Sequence, residues 1–321
     1  ARLAQGLAEG PMILVGDVGG TRTRLAFAER AGGTWKIFAV EERRTAPDIL
    51  EAVTRFVRAA AGGRVSAAAF SGAGAPAADG SIRLTNANVT LFPHELAAAA
   101  GVTSALLVND FRAIAEAILH FSGESLRRCG GGEPVRGEPV VLLGPGTGLG
   151  TAIGAVGPGG WHAIQGEGGH TDLAPVDDEE LEVWKRLRRA HGRLSAESVL
   201  SGPGLERLYA AVADGARLGA AEIDAAAWRG EPAALKAHAL FTRWLGRVAG
   251  NLALIAGARG GVYLAGGILP RWGDRFDVAA FRRAFEDKAP YTAWLRAIPA
   301  FLVTHPQPGL LGLAILAEAY R

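Results

Sequence analysis

Hydrophobic and polar residues alternate along the first part of the chain, and this spacing changes to a helical one further on. A period of two predicts strands with one buried face, whereas apolar residues three and four positions apart predict helices. Strands followed by helices are typical of an α/β fold, in which helices pack on a mixed sheet. Over residues 12–120 the predicted strands are Met12–Gly16, Arg24–Glu29, Trp35–Glu41, Val65–Phe70 and Ala105–Val108, and the predicted helices are Pro47–Ala61 and Phe111–His120.

A second round of strands begins after Pro139 and leads into a long helical block. The apolar runs Val140–Leu143 and Thr151–Val156 predict a hairpin around a glycine-rich turn. Pro308 begins a last helix, since proline is favoured at the first helical position. The predicted helices of this half are Glu179–Arg189, Ala196–Leu200, Pro203–Ala213, 233–256 and Gly309–Tyr320, and its later strands are Val262–Ala265 and Phe301–Thr304.

Three glycine turns, each directly after a predicted strand, have the form of an anion-binding device. They are Asp17–Thr21, which contains Gly19 and Gly20, then Gly144–Gly150, and finally Leu264–Ile268. Glycine lets backbone N–H groups approach an anion without a Cβ in the way. Three such turns, two of them with a Thr hydroxyl, predict a nucleotide held between two similar halves. The first turn does not fit a Walker P-loop, which needs a Gly-Lys-Ser/Thr ending, and no three-glycine Rossmann fingerprint opens a helix here.

The composition of the 321-residue chain limits its class and its partners. Its length favours two domains, and 49% hydrophobic with 21% charged residues indicates a folded globular protein. With a net charge of +2 and no dense basic tract, nucleic acid binding is not expected. The single cysteine, Cys129, excludes an internal disulfide and a Cys/His structural zinc site. Neither a run of about 20 apolar residues nor a signal-peptide pattern is present, so we expect a cytoplasmic protein with no membrane segment and residues 1–11 as an N-terminal extension.

Two carboxylates end predicted strands. At Asp17 a carboxylate would hold Mg²⁺ through water, since Mg²⁺ keeps much of its hydration shell, and the N–H groups and Thr21 hydroxyl that follow would contact the β- and γ-phosphates. The simpler interpretation is an Asp that closes a turn. Asp110 follows Ala105–Val108 and precedes a helix, and its position alone favours a helix N-cap.

These motifs resemble the ATP site of the sugar kinase, Hsp70 and actin superfamily, and the rest of the chain is similar to the bacterial hexokinase-type glucokinases. The matching segments occur in the family's order from about residue 12 to near the C-terminus. The cysteine-rich zinc motif that the related repressor–kinase branch usually carries is absent, which favours the non-zinc branch. The segments are Leu14–Thr21, Val108–Phe111, Gly144–Gly150, Gly166–His170, Ser195–Glu197, Leu200–Gly204, Gly250–Leu254, Ala265–Gly267 and Pro308–Gly312.

The resemblance implies a two-domain actin/hexokinase-like fold with ribonuclease H-like mixed sheets. A small domain would comprise residues 12–119 and 308–321, and a large domain residues 120–307, with both substrates in the cleft between them. ATP with Mg²⁺ would be the phosphoryl donor and glucose the acceptor. On the nucleotide side, Gly146, Thr147 and Gly148 would face the phosphates, and Gly266 and Gly267 would let adenosine lie close to the backbone.

The resemblance also assigns the sugar site. Asp110 becomes the catalytic base for the sugar's 6-hydroxyl, in place of the N-cap that its position alone favours, and Asn109 binds the sugar beside it. Glu167, His170 and Glu197 would complete the site, because carboxylates and a neutral His bond well to neighbouring hydroxyls of a hexose. The simpler interpretations are a structural histidine and, for Glu197, an acid in the first turn of a helix.

Two positions and several functions stay open. Thr85-Asn86 would contact the sugar or form an ordinary polar turn. Arg22 stands where the family often has Asn or another small polar residue, and it would contact phosphate or face solvent.

The same site suits a kinase of mannose, fructose or N-acetylglucosamine, and polyphosphate is an alternative donor. A non-catalytic sugar sensor is disfavoured by Asp110 and the glycine turns, and an actin-like filament by the loop around Glu167. A homodimer is implied by the resemblance alone.

Overall fold

The computed structural model describes residues 12–59, 64–84 and 87–320. The chain divides into two compact units, Ala1–Phe121 with His305–Arg321 (unit 1) and Ser122–Thr304 (unit 2). Unit 2 is therefore one continuous segment, while unit 1 is made of two. The domain boundaries expected from the sequence stay a prediction, and both the expected extension 1–11 and the Thr85-Asn86 pair lie outside the described residues.

Unit 1 is built on a five-stranded mixed sheet with the strand order β3-β2-β1-β4-β7. The strand β1 pairs antiparallel with β2 and parallel with β4, which pairs parallel with β7. The strands are β1 (Met12–Val18), β2 (Arg22–Ala31), β3 (Thr34–Arg44), β4 (Val65–Gly72), the hairpin β5 (Ile82–Leu84) and β6 (Val89–Leu91), and β7 (Ala105–Asn109). The helices are α1 (Ile49–Ala59), α2 (Pro93–Ala100), α3 (Asp110–Glu116) and, from further along the chain, α11 (Pro308–Ala319).

The central strand β1 is buried on both faces, and its successive side chains belong to two different cores. Met12 and Leu14 pack with residues of α1 and α2, whereas Ile13 and Val15 pack with residues of α11. Because successive side chains of a strand point to opposite faces, a strand between two helical layers needs a continuous apolar run. The uninterrupted apolar residues at the start of β1 thus place it in the middle of the sheet.

The helices α11 and α3 pack with their backbones in close approach. A Cβ at Gly312 would overlap the carbonyl oxygen of Ala113. Glycine is therefore required at this crossing because any side chain would separate the two helices.

Unit 2 contains a six-stranded mixed sheet with the order β11-β10-β9-β12-β13-β8. Its strands are β8 (Leu126–Arg128), β9 (Val140–Pro145), β10 (Leu149–Gly157), β11 (Gly160–Gly166), β12 (Gly261–Leu264) and β13 (Ala300–Val303). Its helices are α4 (Asp178–His191), α5 (Gly202–Val212), α6 (Ala220–Trp228), α7 (Pro232–Ala256), α8 (Ile268–Trp272), α9 (Val278–Glu286) and α10 (Thr292–Ala297). The long α7 supplies Phe241, Trp244 and Leu245 to the core. Across the described ranges, no helix combines the length and the apolar character needed to cross a membrane.

The expected helix Ala196–Leu200 is wrong, because residues 196–198 form only a single 3₁₀ turn. Ser201 caps the next helix, α5, by accepting the Gly204 N–H at 3.0 Å. An N-cap residue has non-helical backbone angles, so the chain has to leave helical geometry before Ser201. The sequence analysis also does not predict the helices α2, α6, α8, α9 and α10 or the strands β5, β6, β8 and β11. The helices α2 and α6 are rich in alanine and therefore show no clear apolar stripe.

Candidate active site

The first glycine turn joins β1 to β2, and Asp17 lies at its start. The Asp17 carboxylate accepts a hydrogen bond from the buried Ser71 hydroxyl at 2.7 Å. Burial raises the pKa of the Asp17 carboxyl above its ordinary value, while the bond from Ser71 and the charge of Arg24 oppose the rise. The first turn of α11 lies beside it, since a Cβ at Gly309 would be 3.8 Å from the Asp17 Cγ. The negative charge of Asp17 is thus costly unless a positive group lies near it.

The backbone of this turn is held from two sides. Gly19 donates its N–H to the Arg22 carbonyl at 2.9 Å, and Thr45, directly after β3, donates its N–H to the Thr21 carbonyl at 3.0 Å. The Thr21 side chain is exposed, and no described residue bonds to its hydroxyl. Arg22, whose role the sequence leaves open, pairs with Glu42 at 2.7 Å on the surface. The turn is therefore closed on one side and exposes a hydroxyl on the other.

Asn109 and Asp110 form the junction between β7 and α3. The N-cap is Asn109, whose side-chain oxygen accepts the N–H groups of Phe111 and Arg112 at 2.9 and 3.2 Å. Asp110, which position alone favours as the cap, is already the first helical residue. The Asn109 amide also donates to the Gly74 carbonyl at 3.1 Å. A primary amide has two N–H groups, and no further described residue accepts from this one, so Asn109 has a second donor to offer a ligand.

These residues lie at one edge of the unit 1 sheet because β1, β4 and β7 are parallel neighbours. In the register, Asp17 is opposite Ser71, and Gly72 is opposite Asn109. The carboxyl ends of parallel strands form an edge at which α/β proteins bind ligands. Unit 1 therefore brings Asp17, the turn Gly19–Thr21, Asn109 and Asp110 to the same edge.

The second glycine turn joins β9 to β10 in unit 2. Gly146 donates its N–H to the Gly148 carbonyl at 2.8 Å, so this group closes the turn and is not directed at a ligand. Thr147 is exposed, and its N–H and that of Gly148 find no acceptor within the part of the chain that the structure describes. Of the three residues expected to contact phosphate, Thr147 and Gly148 thus have N–H groups available for a ligand. The N–H of Gly146 closes the turn instead.

The third glycine turn lies against the second. The strands β12 and β9 are parallel neighbours, and the Ala265 N–H donates to the Leu143 carbonyl at 2.9 Å. Gly266 has a φ of +80°, and a Cβ there would overlap the Pro145 carbonyl oxygen. A Cβ at Gly267, by contrast, would meet no described atom within 4 Å. Glycine is needed at position 266 because the third turn packs closely against the second. Packing does not require it at position 267, which adjoins open space.

The helix α8, which follows the third turn directly, is anchored by the buried Asp224 of α6. The Asp224 carboxylate accepts hydrogen bonds from Arg271 and Trp272 of α8 at 2.8 Å each, and from His238 of α7 at 3.0 Å. Burial alone would raise the pKa of Asp224, but the bonds from His238 and Trp272 and the charge of Arg271 lower it below its ordinary value. One carboxylate thus joins three helices.

Glu167 and His170 lie in the loop after β11. Their side chains are 59% and 58% exposed, and the His170 Nε2 is 3.9 Å from a Glu167 carboxylate oxygen. The buried Thr151 of β10 holds this loop, since its hydroxyl donates to the Gly166 carbonyl and accepts the Gly168 N–H, both at 2.9 Å. The loop is therefore fixed at its base and presents both side chains to solvent.

Glu197 contacts the second glycine turn. Its carboxylate accepts the Leu149 N–H at 2.8 Å, and a Cβ at Gly148 would overlap this carboxylate. On the other side, a Cβ at Gly169 would overlap the Leu149 carbonyl oxygen. Leu149 thus joins the expected phosphate turn to Glu197 and to the loop of Glu167 and His170, so unit 2 brings its expected residues together.

Three residues that sequence reasoning missed support the site: Ser71, Thr45 and Thr151. Ser71 and Thr151 carried a usable signal, a polar residue in an apolar strand close to a glycine motif. Among the described residues, no cluster of three or more His, Cys, Asp or Glu suits a metal ion. Mg²⁺ is usually bound by one or two carboxylates together with phosphates and waters. A single carboxylate, that of Asp17, is therefore enough for a Mg²⁺ site.

Comparisons with known proteins agree with this arrangement. The Glucokinase family model matches residues 14–320. A glucokinase of Chromobacterium violaceum is 38% identical over 318 residues, which cover 97% of this chain and 91% of that protein. The crystal structure of a glucokinase from an Antarctic psychrotroph has a TM-score of 0.85 at 29% identity and covers 97% of this chain and 99% of that one. The glucokinase of Balamuthia mandrillaris in complex with glucose has a TM-score of 0.83 at 25% identity, covering 99% and 96%.

These matches confirm the family resemblance and the actin/hexokinase-like α/β fold that the sequence predicts. They extend over nearly the whole of each chain, so the similarity includes both units and is not limited to a shared nucleotide motif. The chain belongs to the Glucokinase family.

Proposed function

We propose that the protein transfers the γ-phosphoryl group of ATP to the 6-hydroxyl of glucose, giving glucose 6-phosphate and ADP. The observation that carries the proposal is the edge of the unit 1 sheet, at which Asp110, Asp17 and the first glycine turn occur together. Membership of the family supports glucose as the acceptor and ATP as the donor.

Asp110 is the base in this proposal. A carboxylate is too weak a base to deprotonate an alcohol in advance, so Asp110 orients the 6-hydroxyl and takes the proton as the oxygen–phosphorus bond forms. Its place at the first position of α3 fixes it on a rigid element. Asn109, whose oxygen is committed to the cap, contributes its second amide N–H to a sugar hydroxyl.

Glu167, His170 and Glu197 recognise the remaining hydroxyls. A carboxylate accepts from two neighbouring hydroxyls, and a neutral imidazole offers one donor and one acceptor. A wrong epimer would leave one of these polar groups unpaired, which costs more than a lost apolar contact. The two bonds of Thr151 support this role because they hold the base of the loop that carries Glu167 and His170.

The phosphates are bound by backbone N–H groups of the first and second glycine turns and by the hydroxyls of Thr21 and Thr147. Gly266 and Gly267 lie on the adenosine side, where Gly267 has room for a ligand. Asp17 would hold Mg²⁺ through water, and its carboxylate, which is bonded to Ser71 and whose charge is disfavoured by desolvation, fits that ion. When bound, Mg²⁺ offsets negative charge on the β- and γ-phosphate oxygens.

A homodimer and a cytoplasmic location belong to the same proposal.

The direct test is ADP release, measured by a coupled assay with Mg·ATP and a panel of glucose, mannose, fructose, N-acetylglucosamine and no sugar. We expect release with glucose at a rate well above the others. Release with a different hexose would support the proposed phosphoryl transfer and show that the acceptor is that sugar and not glucose. Release without sugar, or none with any sugar, would contradict the proposal in favour of an ATP-dependent switch or a sugar sensor.

A further inference from the structure

Thr45 contacts the first glycine turn through both its backbone and its side chain. Its N–H donates to the Thr21 carbonyl at 3.0 Å, and its hydroxyl donates to the Gly19 carbonyl at 2.7 Å. Thr45 comes directly after β3 and lies far from the turn in sequence, outside every glycine motif. One residue therefore binds two of the carbonyl groups of the expected phosphate-binding turn.

A second threonine completes this chain of hydrogen bonds. The Thr23 side chain is fully buried, and its hydroxyl oxygen lies 2.9 Å from that of Thr45. A hydroxyl has one proton, and the Thr45 proton is already used on Gly19, because a carbonyl can only accept. Thr23 must therefore donate to Thr45. Consecutive hydrogen bonds polarise one another, so the Thr23 bond strengthens the hold of Thr45 on Gly19.

The bond to Gly19 fixes the direction of a neighbouring N–H group. The Gly19–Gly20 peptide is trans, like every described peptide bond except Ala289–Pro290. In a trans peptide the C=O and the following N–H point in opposite directions. With the Gly19 carbonyl directed at Thr45, the Gly20 N–H has to point away from Thr45, out of the opposite side of the turn. That side is where a phosphate would meet it.

We propose that Thr45, supported by Thr23, is a positioning residue for phosphate binding: it fixes the Gly19–Gly20 peptide so that the Gly20 N–H faces the nucleotide. This inference rests on the proposed function, in which the first turn binds phosphate. A glycine turn without such a bond would sample peptide orientations that direct a carbonyl, and not an N–H, at the anion. Thr45 would then reduce the cost of ordering the turn when ATP binds.

The chain contains a matched control at the other end of the same strand. The Thr34 hydroxyl donates to the Ala31 carbonyl at 2.9 Å in the turn between β2 and β3. Thr34→Val and Thr45→Val thus remove the same kind of bond from two different turns, the one between β2 and β3 and the one between β1 and β2. Only Thr45 contacts the expected phosphate turn. Thr45→Ser restores the hydroxyl without the methyl group.

We expect Thr45→Val to raise the KM for ATP about 5- to 10-fold, as the loss of one oriented hydrogen bond predicts, with the KM for glucose unchanged. Thr45→Ser should restore the wild-type value, and Thr34→Val should change neither constant. Calorimetric titration with Mg·ATP alone should show the same loss for Thr45→Val. This titration keeps the test independent of turnover, so a wild-type protein that binds ATP but phosphorylates no hexose contradicts the proposed function and not the role of Thr45.

An unchanged KM for ATP in a folded Thr45→Val variant would overturn the proposal, and so would an equal rise in both constants. The melting temperature of Thr45→Val will show whether this variant folds. If it does not fold, the Thr23→Val variant tests the proposal in its place. That variant keeps the Thr45–Gly19 bond and removes its support, so a rise of about twofold in the KM for ATP alone is expected. No change in Thr23→Val would then overturn the inference.

Discussion

Two adjacent side chains at the end of β7 have different tasks because the backbone changes direction between them. Asn109 is extended, with φ of −65° and ψ of 146°, and its oxygen is committed to the first N–H groups of α3. Asp110 already has helical geometry, and a carboxylate in the first turn of a helix is stabilised as an anion. An ionised carboxylate on a rigid element is what the orientation of a reacting hydroxyl requires.

Replacing Asp110 should separate chemistry from nucleotide binding. We expect Asp110→Ala to lower kcat by at least about 100-fold, the low end for a positioned base, with little change in the KM for ATP. The matched control is Asp178→Ala, because Asp178 is the exposed first residue of α4 and has the same relation to its helix. Steady-state kinetics on both variants check the prediction, and near-normal turnover of Asp110→Ala would contradict it.

Gly266 and Gly267 are adjacent, yet they should respond differently to alanine. Gly266→Ala forces a Cβ into the Pro145 carbonyl at a φ of +80°, so we expect the free energy of unfolding to fall by at least about 1 kcal/mol. Gly267→Ala meets no described atom, so stability should stay unchanged while the KM for ATP rises. Urea unfolding and kinetics test the pair. If Gly267→Ala leaves the KM for ATP unchanged, adenosine does not approach that residue.

The candidate ligand-binding residues come from local patterns in the sequence and their roles stay predictions, whereas the contacts of the residues that support them could not be predicted. Glycine turns and polar residues at strand ends are local patterns. Ser71 meets Asp17, and Thr45 meets Gly19, only after strands distant in the chain have paired. The Thr45 hydroxyl has no sequence pattern of its own, and the pattern that marks Ser71, a polar residue in an apolar strand, does not identify Asp17 as its partner.

At the scale of elements, α8 depends on a single buried anion. This helix has only five residues, too short to be stable by itself, and its bonds to Asp224 hold it against α6 and α7. Trp272 also stacks on His238, with the ring centroids 4.2 Å apart. The contacts that hold α8 in place therefore also hold the third glycine turn, which directly precedes this helix.

Removing the charge of Asp224 should destabilise unit 2 in a pH-dependent way. We expect Asp224→Asn to lower the free energy of unfolding by about 2–4 kcal/mol at pH 7, because it leaves buried donors without an ionised acceptor. The folded-state pKa of Asp224 lies below the ordinary value of 3.8, so its contribution is present above about pH 4. It is lost as the pH falls through the folded pKa.

Urea unfolding of both proteins between pH 3 and pH 7 tests this prediction. The difference between wild type and Asp224→Asn should be constant down to about pH 4 and then shrink. Asp274→Asn is the control, because Asp274 is fully exposed and pairs with Arg127 on the surface, where an ion pair contributes at most about 1 kcal/mol. A difference that grows towards acid pH would contradict the role given to Asp224.

The long helix with a clear period could be predicted, whereas very short or alanine-rich elements could not. The sequence analysis also misses α9 and β11, which are of ordinary length. The long helix 233–256 is expected from its pattern and forms as α7, Pro232–Ala256. The segment 196–200 has helical residue types, but the cap of the next helix at Ser201 limits it to one 3₁₀ turn. Tertiary context overrides local preference there because the chain must change direction next to Glu197.

At the scale of the whole molecule, the two units differ in how their cores are assembled. The core of unit 2 is made from one continuous segment, Ser122–Thr304. Unit 1 needs α11 from beyond that segment, since Leu310, Leu313 and Ala314 cover one face of its sheet. A unit with a complete core in one segment is able to fold by itself.

We therefore expect residues 122–304, produced alone, to fold and to unfold cooperatively. Of the seven tryptophans, all but Trp35 are in unit 2, so tryptophan fluorescence in urea reports on this fragment directly. A chain that ends at Thr304 should keep the same transition and lose protected amides in β1 and β4, which hydrogen exchange would show. A fragment without a cooperative transition would contradict this prediction.

The two-segment composition of unit 1 also sets an order of events during synthesis. The segment from β1 to α3 leaves the ribosome before unit 2, without the helix that covers Ile13 and Val15. Until translation has passed through unit 2, that sheet face stays an uncovered apolar surface of the kind that makes nascent chains prone to aggregation and in need of chaperones. Unit 2 can fold as it emerges, so the nascent protein should depend on chaperones mainly for its earliest strands.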